Sequence, residues 1–184
     1  MMPDSLITKR VLATSFKQIL QEKSFSKITV ADICGRCHMN RKSFYYHFKD
    51  KYDLVNWIFY TEFLHDLEHK DSEVSIQLLE ALCEFFYKNK DFYRKTFAIE
   101  GQNSFSEYFR EIIKDIIAED IEKLFENEKN QNKEFCTQFF TDALTGSIKR
   151  WLAESDPILP QEFCDLVKSC LNLVSKKEIA IKFE

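Results

Sequence analysis

The chain has 184 residues and a mass of 21.9 kDa, enough for a substantial core in one large domain or two small ones. Only three Gly and three Pro, against 45% hydrophobic and 15% aromatic residues, exclude a disordered, collagen-like or turn-rich all-β chain. The formal charge of −4 divides into +5 over residues 1–50 and −9 over the remainder, so a polyanion would meet the amino-terminal head and not the acidic body.

Nearly every segment carries helical periodicity, and no convincing period-two run or fixed-period repeat is present. Ser5 is the expected N-cap of a first helix reaching about Lys23, with Ile7, Val11 and Ile19 on its inner side. Thr29 is placed to cap a short second helix. A third is expected from Arg41 to about His47, and Asp50 opens a long fourth with Leu54, Trp57, Ile58, Leu64 and Leu67 on its apolar faces. Leu79, Leu82, Cys83 and Phe86 follow i, i+3, i+4, i+7 on the next, and Asp91 begins a shorter one. Phe105, Tyr108, Phe109, Ile112, Ile113, Ile116 and Ile117 form a wide stripe, and residues 127–133 read as a polar linker.

Two more helices close the chain, divided by the corner Asp156-Pro157-Ile158-Leu159-Pro160, with Pro160 suited to a first helical position. Both are apolar around more of their circumference than one core requires. The expectation is pairing with a second copy in a four-helix bundle, through Phe139, Phe140, Ile148, Trp151, Phe163, Val167, Leu171 and Val174. The fold class expected is all-α, with about nine helices. Residues 1–50 form the head, and residues 51–184 a helical body for effector binding and dimerisation.

Residues 28–48 carry the chemistry. Val30, Ile33, Cys34 and Cys37 share one face of the second helix, Phe44 and Phe48 one face of the third, and Met39 plugs the corner. Arg41, Lys42, Ser43, Tyr45, Tyr46 and His47 remain outward; each can donate a hydrogen bond and none is acidic. Arg and Lys suit guanine acceptors, hydroxyls and imidazole suit phosphate oxygens, and helix starts at Thr29, Asn40 and Asp50 offer free N–H groups. Two short helices with a tight turn and an acid-free outer face specify a DNA-binding helix-turn-helix.

The run Thr29-Val30-Ala31-Asp32-Ile33, then Asn40 to Lys51 and Asp53-Leu54, resembles the amino-terminal domain of the TetR family of transcriptional regulators. The resemblance covers about Leu6 to Leu54. It implies that Arg41, Lys42 and Tyr45 lie in the groove and that Thr29, Asn40, Tyr46, His47 and Lys51 hold phosphates; apart from the resemblance, Ser43 and Lys49 are further DNA-binding candidates. The family often has Ala-Gly-Val-Ser where this chain has Cys37-His38-Met39-Asn40, so His38 stands where a positive-φ glycine is usual. Farther on, Asp91-Phe92-Tyr93, Gly146 with Trp151-Leu152, and the Pro corner are similar to a branch that includes regulators of dihydroxyacetone kinase operons.

Other motifs compete. Cys34-Gly35-Arg36-Cys37-His38 spells a haem c attachment site, but thiols on an apolar helix face are core residues first. His65-Asp66-Leu67-Glu68-His69 spells H-x-x-E-H, yet its charged surroundings suit a solvated helix end. Trp57, Phe63, Phe86, Phe97 and Phe109 are the candidate lining of a ligand pocket, against the plainer role of core aromatics. No Ser/His/Asp arrangement, phosphate-binding Gly loop or carboxylate pair points to catalysis, so no enzyme, cofactor or metal is expected.

Residues 1–9 lack the pattern of a secretory signal, and no apolar run reaches the roughly 18 residues of a membrane span. A cytoplasmic protein with its six cysteines reduced is expected. The expected partners are double-stranded DNA with a near-palindromic operator, a second copy of the chain, and a small-molecule or protein effector at the body. The alternatives are a protein-interaction adaptor on the same fold, or a metal- or redox-responsive regulator using Cys34/Cys37 or His65/His69.

Overall fold

The computed structural model describes residues 3–65, 75–99, 101–124 and 132–175. Among them are nine helices and no strand. They are α1 (Pro3–Glu22), α2 (Val30–Arg36), α3 (Arg41–His47), α4 (Lys51–Phe59), α5 (Ser75–Lys88), α6 (Lys90–Phe97), α7 (Phe105–Leu124), α8 (Lys133–Ala153) and α9 (Pro160–Ser175). A 3₁₀ turn, Phe25–Lys27, links α1 to α2, and α4 continues as a π-helical segment, Tyr60–Leu64. An all-α fold is therefore established. None of these helices is long and apolar enough to cross a membrane. His69, and the linker as far as residue 131, lie outside the described residues.

The helix starts follow local chemistry. Thr29 and Asp32 form a reciprocal capping box: the Thr29 hydroxyl accepts from Asp32 N at 3.1 Å, while the Thr29 amide donates to the Asp32 carboxylate at 2.9 Å. Asp50 Oδ1 accepts from Tyr52 N and Asp53 N at 2.7 and 2.9 Å. The first helix starts two residues before the expected Ser5 cap, at Pro3, whose missing N–H costs nothing in a first turn. Pro160 begins α9 for the same reason.

Packing divides the chain into two compact units, residues 1–71 with 91–115, and residues 72–90 with 116–184. The first thus joins the fifty-residue head to α4, α6 and the first half of α7. Its core runs through Leu12, Phe16, Leu20, Ile33, Phe44, Leu54 and Ile58, all buried. Ile7 was expected on the inner side of α1 but is 55% exposed: the buried stripe is Leu12, Ala13, Phe16, Ile19 and Leu20, and Ile7 falls outside it. Phe59, Phe63, Tyr93, Phe97, Phe105 and Phe109 form an aromatic cluster, with ring centroids mostly 5–6 Å apart and edge-on geometry predominating.

In the second unit α9 packs along α5, and α8 also contacts α5. Trp151 is stacked on Phe163 at 4.4 Å and donates its indole N–H to Ile158 O at 2.9 Å, which closes the Pro corner. Ile148, Trp151 and Phe163 are therefore buried in the core of the second unit, and not on the surface where pairing with a second copy was expected. Phe140 and Val167 are half-buried, and the side chain of Val174 lies outside the described set. The apolar surface of α8 and α9 is instead Phe135, Phe139, Leu166 and Leu171, at 70, 56, 58 and 44% exposure.

Candidate nucleic-acid interface

Three helices hold the candidate surface. α1 contacts α2, α3 and α4, and α2 contacts α3. The α1–α2 junction is clasped by two exposed ion pairs, Lys23–Asp32 at 2.9 Å and a two-pronged Arg36–Glu22 pair at 2.8 and 2.6 Å. Lys23, with the Thr29 amide and hydroxyl, holds the Asp32 carboxyl far below the usual carboxylate range. Exposed pairs of this kind stabilise by at most about 1 kcal/mol each, so the clasp sets geometry more than stability.

The turn between α2 and α3 places His38 at φ +56°, the left-handed conformation expected for the residue at the family's glycine position. Met39 N–H donates back to Cys34 O at 2.9 Å, and Asn40 Oδ1 accepts from Ser43 N at 2.8 Å to start α3. His38→Gly should therefore stabilise the head by up to about 1 kcal/mol by removing the Cβ penalty, read as a higher denaturant midpoint at unchanged slope. An unchanged or lower midpoint would show that the turn carries no such strain.

Phe44 is fully buried beneath α3, and this turns Arg41, Lys42, Tyr45 and Tyr46 into solvent. Tyr46 is 83% exposed. The Arg41 guanidinium lies 6.0 Å from the Tyr45 ring, one helical turn away, so the cation is held along the outer face. Ser43 and His47 are half-buried at its edges, and Lys49 is exposed beyond it. Burial, then the charge of Lys9, lower the His47 pKa.

The expected phosphate ligands are placed unequally. Asn40 keeps its amide NH₂ free of the cap. Both the amide and hydroxyl of Thr29 are engaged by Asp32. Lys51 is turned inward: its ammonium donates to Phe25 O and Ile28 O at 2.7 and 2.8 Å and sits 4.4 Å from the Phe25 ring. Desolvation there lowers its pKa, and one of its three protons is left for an outside acceptor. Lys9 was missed. Its ammonium lies 5.7 and 5.8 Å from the Phe48 and Trp57 rings, a placement that spacing along α1 does not reveal.

The ligand-pocket candidates are packed, not open. Phe63, Phe97 and Phe109 interlock in the aromatic cluster, Phe86 is fully buried, and Trp57 is half-buried against Phe48. Two open grooves lie on the head. One of about 230 Å³ is lined by Ile19, Glu22, Lys23, Asp32, Gly35 and Arg36. The other, about 450 Å³, runs between α1 and the end of α2. Cys34 is buried, its thiol pushed up by desolvation, and Cys37 donates to Ile33 O and Cys34 O within its own helix. Both are placed as packing residues. No group of three or more His, Cys, Asp or Glu among the described residues is arranged to hold a metal.

Comparison with known proteins agrees with the all-α fold. Residues 17–58 match the pattern described as bacterial regulatory proteins, tetR family, and residues 73–173 match a transcriptional regulator C-terminal region of the same kind. A curated relative, the HTH-type dhaKLM operon transcriptional activator DhaS of Lactococcus lactis subsp. lactis (strain IL1403), is 29% identical over 109 residues. That match covers 59% of this chain and only 57% of the relative. The fold is similar to two solved structures, each at a TM-score of 0.69. A dihydroxyacetone kinase operon activator DhaS is 21% identical, covering 92% of this chain and 97% of that one. A TetR transcriptional regulator from Streptococcus agalactiae 2603V is 24% identical, covering 93% and 95%.

Proposed function

The chain belongs to the TetR family of transcriptional regulators, and from that membership we propose that it binds a near-palindromic operator as a homodimer. Each protomer lays α3 in a major groove. The observation that carries this is the outer face of α3: Arg41, Lys42, Tyr45 and Tyr46 stand exposed with no acid among them, on a helix anchored by buried Phe44. Arg41, Lys42 and Tyr45 meet base edges, and Asn40, Ser43, Tyr46, His47 and Lys49 meet the backbone. Thr29 and Lys51 contribute chiefly by holding the framework. Half-sites about one helical turn apart, roughly 34–36 Å, fit a two-fold pair of such heads.

The exposed apolar residues of α8 and α9 support the dimer, because Phe135, Phe139, Leu166 and Leu171 gain most from a second copy. A ligand or partner protein at the body regulates binding by favouring one separation of the heads. Its coupling to DNA is on the order of 1–3 kcal/mol. The relative named for the dhaKLM operon makes a dihydroxyacetone kinase operon the first place to look for the target site.

Selection of bound duplexes from a random pool at near-physiological salt tests the reading. An enriched two-fold motif is expected, and no enrichment by intact dimer, alone or in cell extract, would overturn it. Arg41→Ala should then relax base preference within each half-site at a cost of about 1–3 kcal/mol. An equal loss on all sequences would move Arg41 from the bases to the backbone.

A further inference from the structure

We propose that the open groove between α1 and the end of α2 is a binding site for a small organic carboxylate. The groove holds about 450 Å³, within the roughly 300–1,000 Å³ usual for small-molecule sites. One wall is a stripe of α1, with Ile7, Val11 and Thr14 neighbours at helical spacing; the other is Arg36 and Cys37 at the end of α2. No residue of α3 lines it, so the site goes beyond the DNA-binding reading and stands without it.

Ser15 marks the floor. It is only 5% exposed and lines the groove, yet its hydroxyl makes no hydrogen bond among the described residues. A helical hydroxyl commonly donates back to the carbonyl one turn earlier, as the neighbouring Thr14 does to Arg10 O at 2.9 Å. Ser15 does not, and a buried hydroxyl without a partner carries a free-energy cost that a ligand's polar group removes.

The charge of the groove favours an anion. No acid lines it, and Arg10 has no carboxylate partner among the described residues. Arg36 differs, because both prongs of its guanidinium are taken by Glu22 at 2.8 and 2.6 Å. The uncommitted cation of the groove is therefore Arg10. Beside it the surface is apolar: Ile7, outside the buried stripe of α1, adjoins half-buried Val11. A bare inorganic anion leaves that strip in water, and an uncharged ligand leaves Arg10 unused. An organic carboxylate meets both, its charge at Arg10, its body on Ile7 and Val11, and a second polar group at Ser15.

The probe is 4-hydroxybenzoate, which carries a carboxylate, an apolar ring and a hydroxyl. Cys37 reports on it, because its thiol is half-buried in the groove wall, donating to Ile33 O and Cys34 O at 3.3 and 3.5 Å. In the full-length protein without DNA, the probe should slow alkylation of Cys37 by iodoacetamide, with half-protection at about 1 mM or below. Exposed Cys170 on α9 should react unchanged. Arg10→Gln should weaken the protection about tenfold, and Ser15→Ala about threefold to tenfold. Thermal melts establish that both variants are folded. Amide shifts on titration, followed by NMR, should be confined to residues 7–18 and the end of α2. No protection and no such shifts up to about 10 mM overturn the site. Equal protection by inorganic phosphate, equal slowing at Cys170, or an unaltered response in Arg10→Gln overturns it as well.

Discussion

Phe59→Ala should destabilise the protein by about 3–5 kcal/mol, the largest loss expected from any single truncation in its first packing unit. Phe59 is fully buried on α4, and its ring centre lies 5.5 Å from Phe63, 6.1 Å from Tyr93, 5.4 Å from Phe105 and 5.8 Å from Phe109. These partners come from the π-helical continuation of α4, from α6 and from α7, so deletion opens one void bordered by several elements. Stiff rings cannot collapse into such a void as a single leucine neighbour can, and the cavity cost adds to the lost transfer energy. Against a typical total of about 5–15 kcal/mol, that is a large share of the stability. Denaturant unfolding measures it; a loss below about 1 kcal/mol would mean that the cluster repacks.

On the proposed dimer, Leu166→Asp should leave a folded protein that no longer pairs and binds the proposed operator about 10²–10⁴-fold more weakly. Leu166 is 58% exposed, so a charge there costs the monomer little, within about 0.5 kcal/mol. In an interface the same carboxylate would be buried in both copies without a partner. Two heads joined in one particle bind the second half-site at high effective concentration, and a monomer loses that advantage. Sedimentation and operator titration on one preparation read both effects. A dimer of unchanged affinity would show that Leu166 does not lie in the interface. Trp151→Asp is a poor substitute, because Trp151 packs within its own protomer, stacked on Phe163 and hydrogen-bonded to Ile158.

How far the sequence was legible depended on the range of the interaction concerned. The Thr29 capping box, the Asp50 and Asn40 caps and the start at Pro160 each involve residues within three positions of one another, and all were readable. His38 belongs with them: a residue in the family's glycine position inherits that position's backbone, and it adopts φ +56°. The exposed, acid-free face of α3 was also readable, since Phe44 and Phe48 specify which side is buried.

Helices with more than one apolar face were ambiguous. α8 has Phe139 on one side and Ile148 and Trp151 on another, and periodicity ranks neither as inward. On α1, Ile7 lay outside a stripe set by Leu12, Phe16 and Leu20. The lysines were harder still. Lys51 reaches carbonyls 23 and 26 residues back, and Lys95 donates to Leu20 O at 2.7 Å across 75 residues. Lys9 meets the rings of Phe48, which follows α3, and of Trp57 on α4, both about forty or more residues along the chain.

The division between the two has one physical cause. Helix boundaries, caps and the chemistry of the α3 face depend on backbone groups and side chains within about one turn, so their energies are written in neighbouring residues. Which apolar face turns inward, where a flexible ammonium finds its acceptor, and whether an aromatic packs or lines a space depend on elements brought together by burial. Burial is non-directional and indifferent to sequence separation, so the chain order does not encode those partners.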